Sequence, residues 1–516
     1  MGEWTWMKGT NSVDQPAVPG TMGTFASANT PPNLYEPCEW TDLNGNFWLF
    51  GGEDYNGNQY CDLWEFKPST NQWAWIKGPG TINQNGVYGT QGVPSLTNNP
   101  GCRGYGIPTW VDTAGYLWLY GGNGNGVSAY GILGDLWKYN ISTNEWTWIG
   151  GPNTVNDTGS YGTILVPSAT NKPPAKQETN AAWTDNHNCL WLFGGKSPIG
   201  DLSDVWKYNI SANQWTWMKG PKIGDQPAVY GTKGTPDTGN TPSGRWIHSK
   251  WKDDNGNFWI FGGQDNAVHT FGDLWRFNPT TNVWTWMSGT STPNDTTTIG
   301  TQCIPAVNNK PGNRMENRSC WTRCGNFMMF GGANPSHFLN DFWNYNVATN
   351  EWTLMNGSII TNNHGSYGTV MVSSATNLPP SRMGSVAWSD NSGNLWMFGG
   401  EGFNFVQYND MWRFVPDTTC PHTCSQTGII DLIPKHSQIS LYPNPNNGTF
   451  TLSYHLSTPD AALQIVDISG RVVYKQSISG TTGKEIIDAS ALSNGMYFYQ
   501  LTSSSESWQG KVVIER

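Results

Sequence analysis

The sequence predicts an all-β protein: a six-bladed β-propeller closed by its N-terminal strand, followed by a small immunoglobulin-like β-sandwich. Three observations carry this expectation. First, six copies of one pattern run down the 516 residues, each with an apolar segment ending in Gly-Gly, an Asp-Leu-Trp-type segment and an Asn-x-Trp-Thr-Trp segment. The Gly-Gly pairs stand at Gly51-Gly52, Gly121-Gly122, Gly194-Gly195, Gly262-Gly263, Gly331-Gly332 and Gly399-Gly400. A regular spacing of about 70 residues, holding several short strands, marks an array whose units need neighbours to bury their faces. Second, the chain has 61 Gly and 30 Trp, and only 13% of its residues are charged. Disordered chains lack such aromatics, and helical ones need more Leu, Glu and Lys. Third, the pattern stops after Phe414, and a Trp-poor, alternating texture begins after Pro434.

Each repeat reads as four strands. In the fourth copy, Arg245 to Lys252 alternates and ends at the turn Asp253-Asp254-Asn255-Gly256-Asn257. Phe258 to Phe261 is a buried apolar run closed by Gly262-Gly263, Asp273 to Asn278 is the third strand, and Pro279 to Asn282 turns into Val283 to Met287. Four strands joined by short turns make one propeller blade. Tryptophan sets the register: Trp40, Trp48, Trp64, Trp73 and Trp75 in repeat one recur as Trp110, Trp118, Trp137, Trp146 and Trp148 in repeat two. Rings this large at fixed places read as packing between blades.

Repeat six keeps Trp388, Trp396 and Trp412 but has no Asn-x-Trp-Thr-Trp strand after Phe414. That strand is found at the other end of the chain, as Glu3-Trp4-Thr5-Trp6-Met7. Pairing the two would remove two sheet edges and lock the circle. The expected domains are a propeller over 1–419, a linker over 420–436 and a C-terminal domain over 437–516. The Gly-Gly after an apolar strand, followed by two spaced Trp, resembles the kelch repeat over roughly 1–419. The period is longer than the usual one of about 50 residues. The surplus lies in the link from each fourth strand to the next repeat, which points to function there.

By parity, the loop between the second and third strands and the long link emerge on the same face. The links share Tyr88-Gly89-Thr90, Tyr161-Gly162-Thr163, Tyr230-Gly231-Thr232 and Tyr367-Gly368-Thr369, and they end in a cation: Arg103, Lys176, Arg245, Arg314 and Arg382, with Asn33 in repeat one. The kelch resemblance implies that residues at this entry hold acidic ligands. The five cations are therefore the candidate ligand-binding residues, a basic ring at the tunnel mouth suited to bidentate carboxylate recognition.

No catalytic, metal or cofactor site is assigned. A copper radical oxidase of this fold needs converging Tyr, His and Cys, and His248 is the one histidine on a first-strand segment. The Asp42–Asn46 and Asp253–Asn257 segments read as turns, since they lack the closing Glu of a calcium loop. His269, His337 and His364 read as scattered surface histidines. The nine cysteines are odd in number and fit an oxidising compartment. The segment Cys420-Pro421-His422-Thr423-Cys424 reads as a small disulfide loop rather than a zinc site.

The C-terminal residues form about seven short strands, the count of a sandwich. Tyr442-Pro443-Asn444-Pro445, Asp467-x-x-Gly470-Arg471, Leu492-x-x-Gly495-x-Tyr497 and a basic last strand follow in order. This set is similar to the C-terminal sorting domain of type IX secretion cargo in Bacteroidetes. That resemblance implies passage through the type IX machinery to a secreted or outer-membrane, cell-surface location. It also implies an export signal, which Met1 to Met7 does not supply, so the chain is expected to be a trimmed form. A net charge of −10 without a basic stripe argues against nucleic acid, and no apolar run is long enough for a transmembrane helix. The expected function is an exported binding or adhesion protein whose looped face recognises a glycan or a protein. A mutarotase- or epimerase-like enzyme at the tunnel mouth and a structural surface-layer component are the alternatives.

Overall fold

The computed structural model describes residues 2–357, 360–416, 420, 439–442, 444, 446–456, 459–467, 470–503 and 507–516. Among them everything regular is β apart from one 3-10 turn, Phe403–Phe405. The chain divides into two compact units, Met1–Cys424 and Ser425–Arg516.

The larger unit consists mainly of antiparallel sheets of four strands, one per repeat, and this fits a β-propeller. In repeat four the strands are Ser249–Lys252, Phe258–Phe261, Leu274–Asn278 and Val283–Ser288, paired in that order. The second strand is buried on both faces (Phe258, Trp259, Ile260, Phe261), which is why it reads as a continuous apolar run. Repeat two adds a fifth short strand, Arg103–Gly104.

The Asp-x-Asn-Gly-Asn segment is turn chemistry. Asp253 Oδ1 accepts from the amides of Asn255 and Asn257, and Oδ2 accepts Nε1 of Trp259 at 2.8 Å. Asp42, Asp112, Asp185 and Asp390 bind Trp48, Trp118, Trp191 and Trp396 in the same way. One carboxylate thus closes the hairpin and fixes the second-strand Trp. The first-strand Trp serves the next repeat: Nε1 of Trp40, Trp110 and Trp183 donates to the carbonyls of Trp118, Trp191 and Trp251.

The sixth sheet has the order Glu3–Lys8, Met411–Val415, Leu395–Phe398, Val386–Ser389. Trp4 opposes Phe414 and Trp6 opposes Trp412. The N-terminal strand also keeps the local habits of a fourth strand. Asn377 donates to the Trp4 carbonyl, just as Asn98 does to Trp146, and Trp6 Nε1 donates to Lys8, as Trp148 does to Gly150.

The long links are not free loops, and this corrects the inference drawn from their surplus length. Each pairs with the fourth strand of the repeat that follows: Ser95 with Trp146, Ser168 with Trp215, Asp237 with Trp284, and Ser374 with Trp4. The added residues cover the outer edge of every sheet, an edge otherwise open to pairing with another chain.

The cysteine reading also changes. Cys420 bonds Cys303, not its neighbour, and Cys61 bonds Cys102. Cys424 lies outside the described residues. The Cys303–Cys420 bond ties the end of the sixth repeat to the link before the fifth, across 117 residues of sequence. Closing a loop of that length removes about 4–5 kcal/mol of denatured-state entropy. Cys303→Ser is therefore expected to lower the urea midpoint, and reduction should shift the wild type by more than it shifts the variant.

Among its described residues the smaller unit has seven strands in two sheets. One holds Ile439–Tyr442, Thr449–His455 and Thr482–Asp488; the other holds Val472–Ile478, Ala461–Val466, Gly495–Ser503 and Ser507–Ile514. Phe450, Leu452, Leu463, Ile465, Ile487, Leu501 and Val512 fill its core. Its sequence motifs are fastenings. Asn444 donates to the Lys511 carbonyl and accepts the Val513 amide, and Asp467 accepts both the amide and Nε of Arg471.

Candidate functional site

Each candidate cation lies two residues before a left-handed residue, with its carbonyl against the Gly-Gly of the preceding repeat and its side chain against that of its own. The Gly-Gly geometry explains the placement. Gly51 and Gly52 have φ of 71° and 93°, and a Cβ on Gly51 would come within 2.5 Å of the Arg103 carbonyl. That carbonyl accepts the Gly52 amide at 2.9 Å. The contact recurs from Gly122 to Lys176, Gly195 to Arg245, Gly263 to Arg314 and Gly332 to Arg382, and Gly400 donates to Leu34. Leu34, rather than Asn33, thus stands in the cation position of repeat one.

The side chains of all five cations are buried and committed. Arg103 forks onto Asp135 at 2.7 and 2.9 Å, Arg245 onto Asp273 at 2.6 and 2.9 Å, Arg314 onto Asp341 at 3.0 and 2.9 Å, and Arg382 onto Asp410 at 2.6 and 2.8 Å. Lys176 binds Asp204. Each cation also donates to the first Gly carbonyl of its pair, for example Arg103 to Gly121 and Lys176 to Gly194. The acceptor is the Asp of the Asp-Leu-Trp segment. It also accepts Nε1 of the following Trp and, where the link carries Tyr-Gly-Thr, the tyrosine hydroxyl: Tyr88 on Asp135, Tyr161 on Asp204, Tyr230 on Asp273 and Tyr367 on Asp410. The shared Tyr of the links is therefore part of a Tyr–Asp–cation–Trp network in repeats two, three, four and six. A cation whose donors are satisfied in a buried pair has no free fork for a solvent-borne carboxylate.

The electrostatics follow from geometry. Burial opposes the charge on Arg103, Arg245 and Arg382, and the adjoining Asp135, Asp273 and Asp410 more than restore it, so all three stand above the ordinary arginine value. On Lys176 burial prevails over Asp204, and the amine falls below the usual lysine range. A compact ammonium loses more hydration on burial than a guanidinium and gains a single contact.

Repeat one departs from the others because Leu34 cannot pair with Asp62. Burial pushes the Asp62 carboxyl up to about 6, partly offset by the Gly80 amide. An acid raised in the folded state favours folding in its protonated form, so its contribution falls as pH rises from about 4 to about 6. The Tm of Asp62→Asn minus that of the wild type is expected to grow across this window. A difference that stays flat from pH 4 to 7 would refute the assignment.

Glu36, Tyr105, Glu178, Ile247, Glu316 and Gly384 occupy one equivalent position in successive repeats, all with φ between 49° and 62°. Their backbones hand on hydrogen bonds: Glu178 to Tyr105, Ile247 to Glu178, Glu316 to Ile247, Gly384 to Glu316 and Glu36 to Gly384, at 2.7–3.1 Å. The carboxylates of Glu36, Glu178 and Glu316 converge, with oxygens within 4.8 Å of one another, and all three are buried. Burial, and then the charge of Glu36, push Glu178 well above the carboxylate range; Glu316 is raised by burial, then by Glu36 and Glu178. Arg318 lies beside them, donating to Glu39 at 2.6 Å. His248 is buried, and burial lowers it to about 3, so it stays neutral. The sequence reading missed the trio, although one signal was present: the residue two positions after Leu34, Lys176 and Arg314 is Glu each time.

The second-to-third-strand loops carry the exposed aromatics: Tyr55 in repeat one, Tyr130 in repeat two, and Phe403 and Phe405 in repeat six. Neighbouring loops touch. Gln59 Nε2 donates to Asn123 O and Tyr130 Oη, and Phe338 packs edge-on to Phe405 at 6.5 Å. Asn404 and Phe405 hold φ of 64° and 61°, which L-residues adopt at a cost, here at an exposed tip. His269 pairs with Asp265 at 3.1 Å, and the three histidines form no metal-ligating group among the described residues.

Residues 313–358 match the kelch motif family, a segment that runs from Arg314's neighbour through Gly331-Gly332, Asp341 and the fourth strand. Residues 440–515 match the secretion system C-terminal sorting domain family. The chain is 27% identical over 121 residues to the multiple epidermal growth factor-like domains protein 8 of Homo sapiens and to that of Rattus norvegicus. The match covers 22% of this chain and 4% of those relatives. No helix among the described residues is long and apolar enough to cross a membrane. The chain thus carries a kelch motif at 313–358 and a secretion system C-terminal sorting domain at 440–515.

Proposed function

We propose that this protein is a secreted or cell-surface binding module in which the six sheets form one ring, closed by Glu3–Lys8, and the second-to-third-strand loops grip a protein ligand. The sorting domain supports the location, and the kelch repeats support protein binding. The observation that carries the ligand face is the exposure of Tyr55, Tyr130, Phe403 and Phe405 at the second-to-third-strand connections, with Phe405 65% exposed. Exposed aromatic clusters are the usual anchors of recognition surfaces. In this reading Arg103, Lys176, Arg245, Arg314 and Arg382 serve the site by positioning it. Each clamps the Gly-Gly from which a ligand loop departs. A glycan is the second reading, favoured by Tyr55 and Tyr130, which offer a ring face and a hydroxyl together. An enzymatic site at the axis has less support, because the polar groups there are buried from any substrate.

The test screens the full chain on a glycan array and against purified surface proteins, then measures the best ligand with two variants. Tyr130→Ala/Phe405→Ala should weaken binding by about 10-fold or more, as loss of hot-spot aromatics does. The rim variant Val307→Ser should bind as the wild type does. Unchanged affinity in the loop variant would sink the assignment.

A further inference from the structure

We propose that Glu36, Glu178 and Glu316 form a calcium-class divalent cation site on the axis, joining repeats one, three and five. The equivalent position alternates around the axis: Glu in repeats one, three and five, and Tyr105, Ile247 and Gly384 in repeats two, four and six. This alternation, on backbones locked to one another by hydrogen bonds, sets three carboxylates about a pseudo-threefold centre. Side chains too long to avoid each other there are brought together by the fold, not by flexible loops.

A second observation is independent of their proximity. The residues are 0%, 6% and 5% exposed, yet both oxygens of Glu36, Oε2 of Glu178 and Oε2 of Glu316 accept from no donor outside the trio. Buried carboxylates are ordinarily paired or ligating, because an uncompensated one is costly. Among the cations near the trio, Arg318 has its Nη1 3.9 Å from Glu36 Oε1 while its Nη2 is given to Glu39.

The donor set and the spacing select the ion. Three carboxylates and no nitrogen or sulfur favour a hard cation. Oxygens up to 4.8 Å apart span about twice a calcium–oxygen distance of ~2.4 Å, whereas magnesium demands ~2.1 Å and a stricter octahedron. Water would complete the shell. An ion held by alternate repeats ties non-adjacent units, which Arg318 and Glu39 already join directly, and it would make the ring of an exported protein depend on extracellular calcium.

The experiment uses the full chain, stripped with EDTA and dialysed. Terbium luminescence and calorimetry with calcium chloride should give one saturable ion per chain. Tm should rise by about 3 °C when calcium exceeds Kd by ~100-fold. Magnesium should bind at least ~10-fold more weakly. The isosteric Glu36→Gln/Glu178→Gln/Glu316→Gln variant, which removes three buried charges, should fold and lose the ion. If it does not fold, Glu178→Gln alone should weaken calcium by about 10-fold or more. A wild type with no saturable calcium and the same Tm in EDTA overturns the proposal. So does a triple variant that binds calcium as tightly as the wild type, which would place the ion elsewhere.

Discussion

Arg382→Met is expected to destabilise the repeat unit by about 3–5 kcal/mol, since it leaves Asp410 as an uncompensated buried charge. Both side chains are fully buried, and the pair is doubly bonded at 2.6 and 2.8 Å. The Tyr408 ring lies 4.2 Å from the guanidinium carbon, so the variant also loses a stacked cation. Arg382→Met/Asp410→Asn should recover most of the loss. The amide keeps an oxygen for Tyr367 and Trp412 while the lone charge disappears. Urea unfolding checks both. A single variant within 1 kcal/mol of the wild type (about the worth of an exposed pair) would show that the network is not holding the repeat. The same substitution in Arg245 should behave alike, whereas Leu34→Arg in repeat one should supply Asp62 with the partner it lacks and remove its titration near pH 6.

Trp4→Ala is expected to cost about 3–5 kcal/mol, the range for deleting a buried aromatic ring. Trp4 is fully buried, with Phe414 at 5.1 Å, Phe330 at 5.2 Å and Phe342 at 5.7 Å between ring centroids. It therefore joins the first residues of the chain to repeats five and six. Trp6→Ala should cost markedly less, since Trp6 is only half-buried and packs on Tyr367 alone among the described rings. Deleting residues 2–8 goes further, because Met411–Val415 becomes an open edge. Size-exclusion chromatography should then show association that Trp4→Ala does not. If the deletion unfolds at the same urea concentration as the wild type, the strand does not close the ring.

The strand pattern of each repeat is legible because it is local. Period-two alternation, an Asp-led turn and a Trp at fixed offsets are written within a few residues of one another, and burial on both faces makes Phe258–Phe261 and its equivalents stand out. The N-terminal strand is legible for a related reason: Glu3 to Met7 repeats a pattern whose place in repeat six is vacant. The cation positions are equally visible as residues, but their partners are not. Arg103 and Asp135 lie 32 positions apart, and Cys303 and Cys420 lie 117 apart. Nothing local says whether a cation at a link's end faces solvent or the Asp of its own repeat.

The sequence by itself determined an all-β repeat chain with kelch motifs and an export domain, since those follow from short-range pattern and composition. The tertiary structure decided what the irregular positions do. It turned the surplus links into edge covers, withdrew five cations into buried pairs, and drew Glu36, Glu178 and Glu316 from distant repeats to one point. The physical reason is packing of repeat on repeat. It brings equivalent positions together and sets each link against the next sheet's edge, so a side chain's role depends on neighbours tens of residues away.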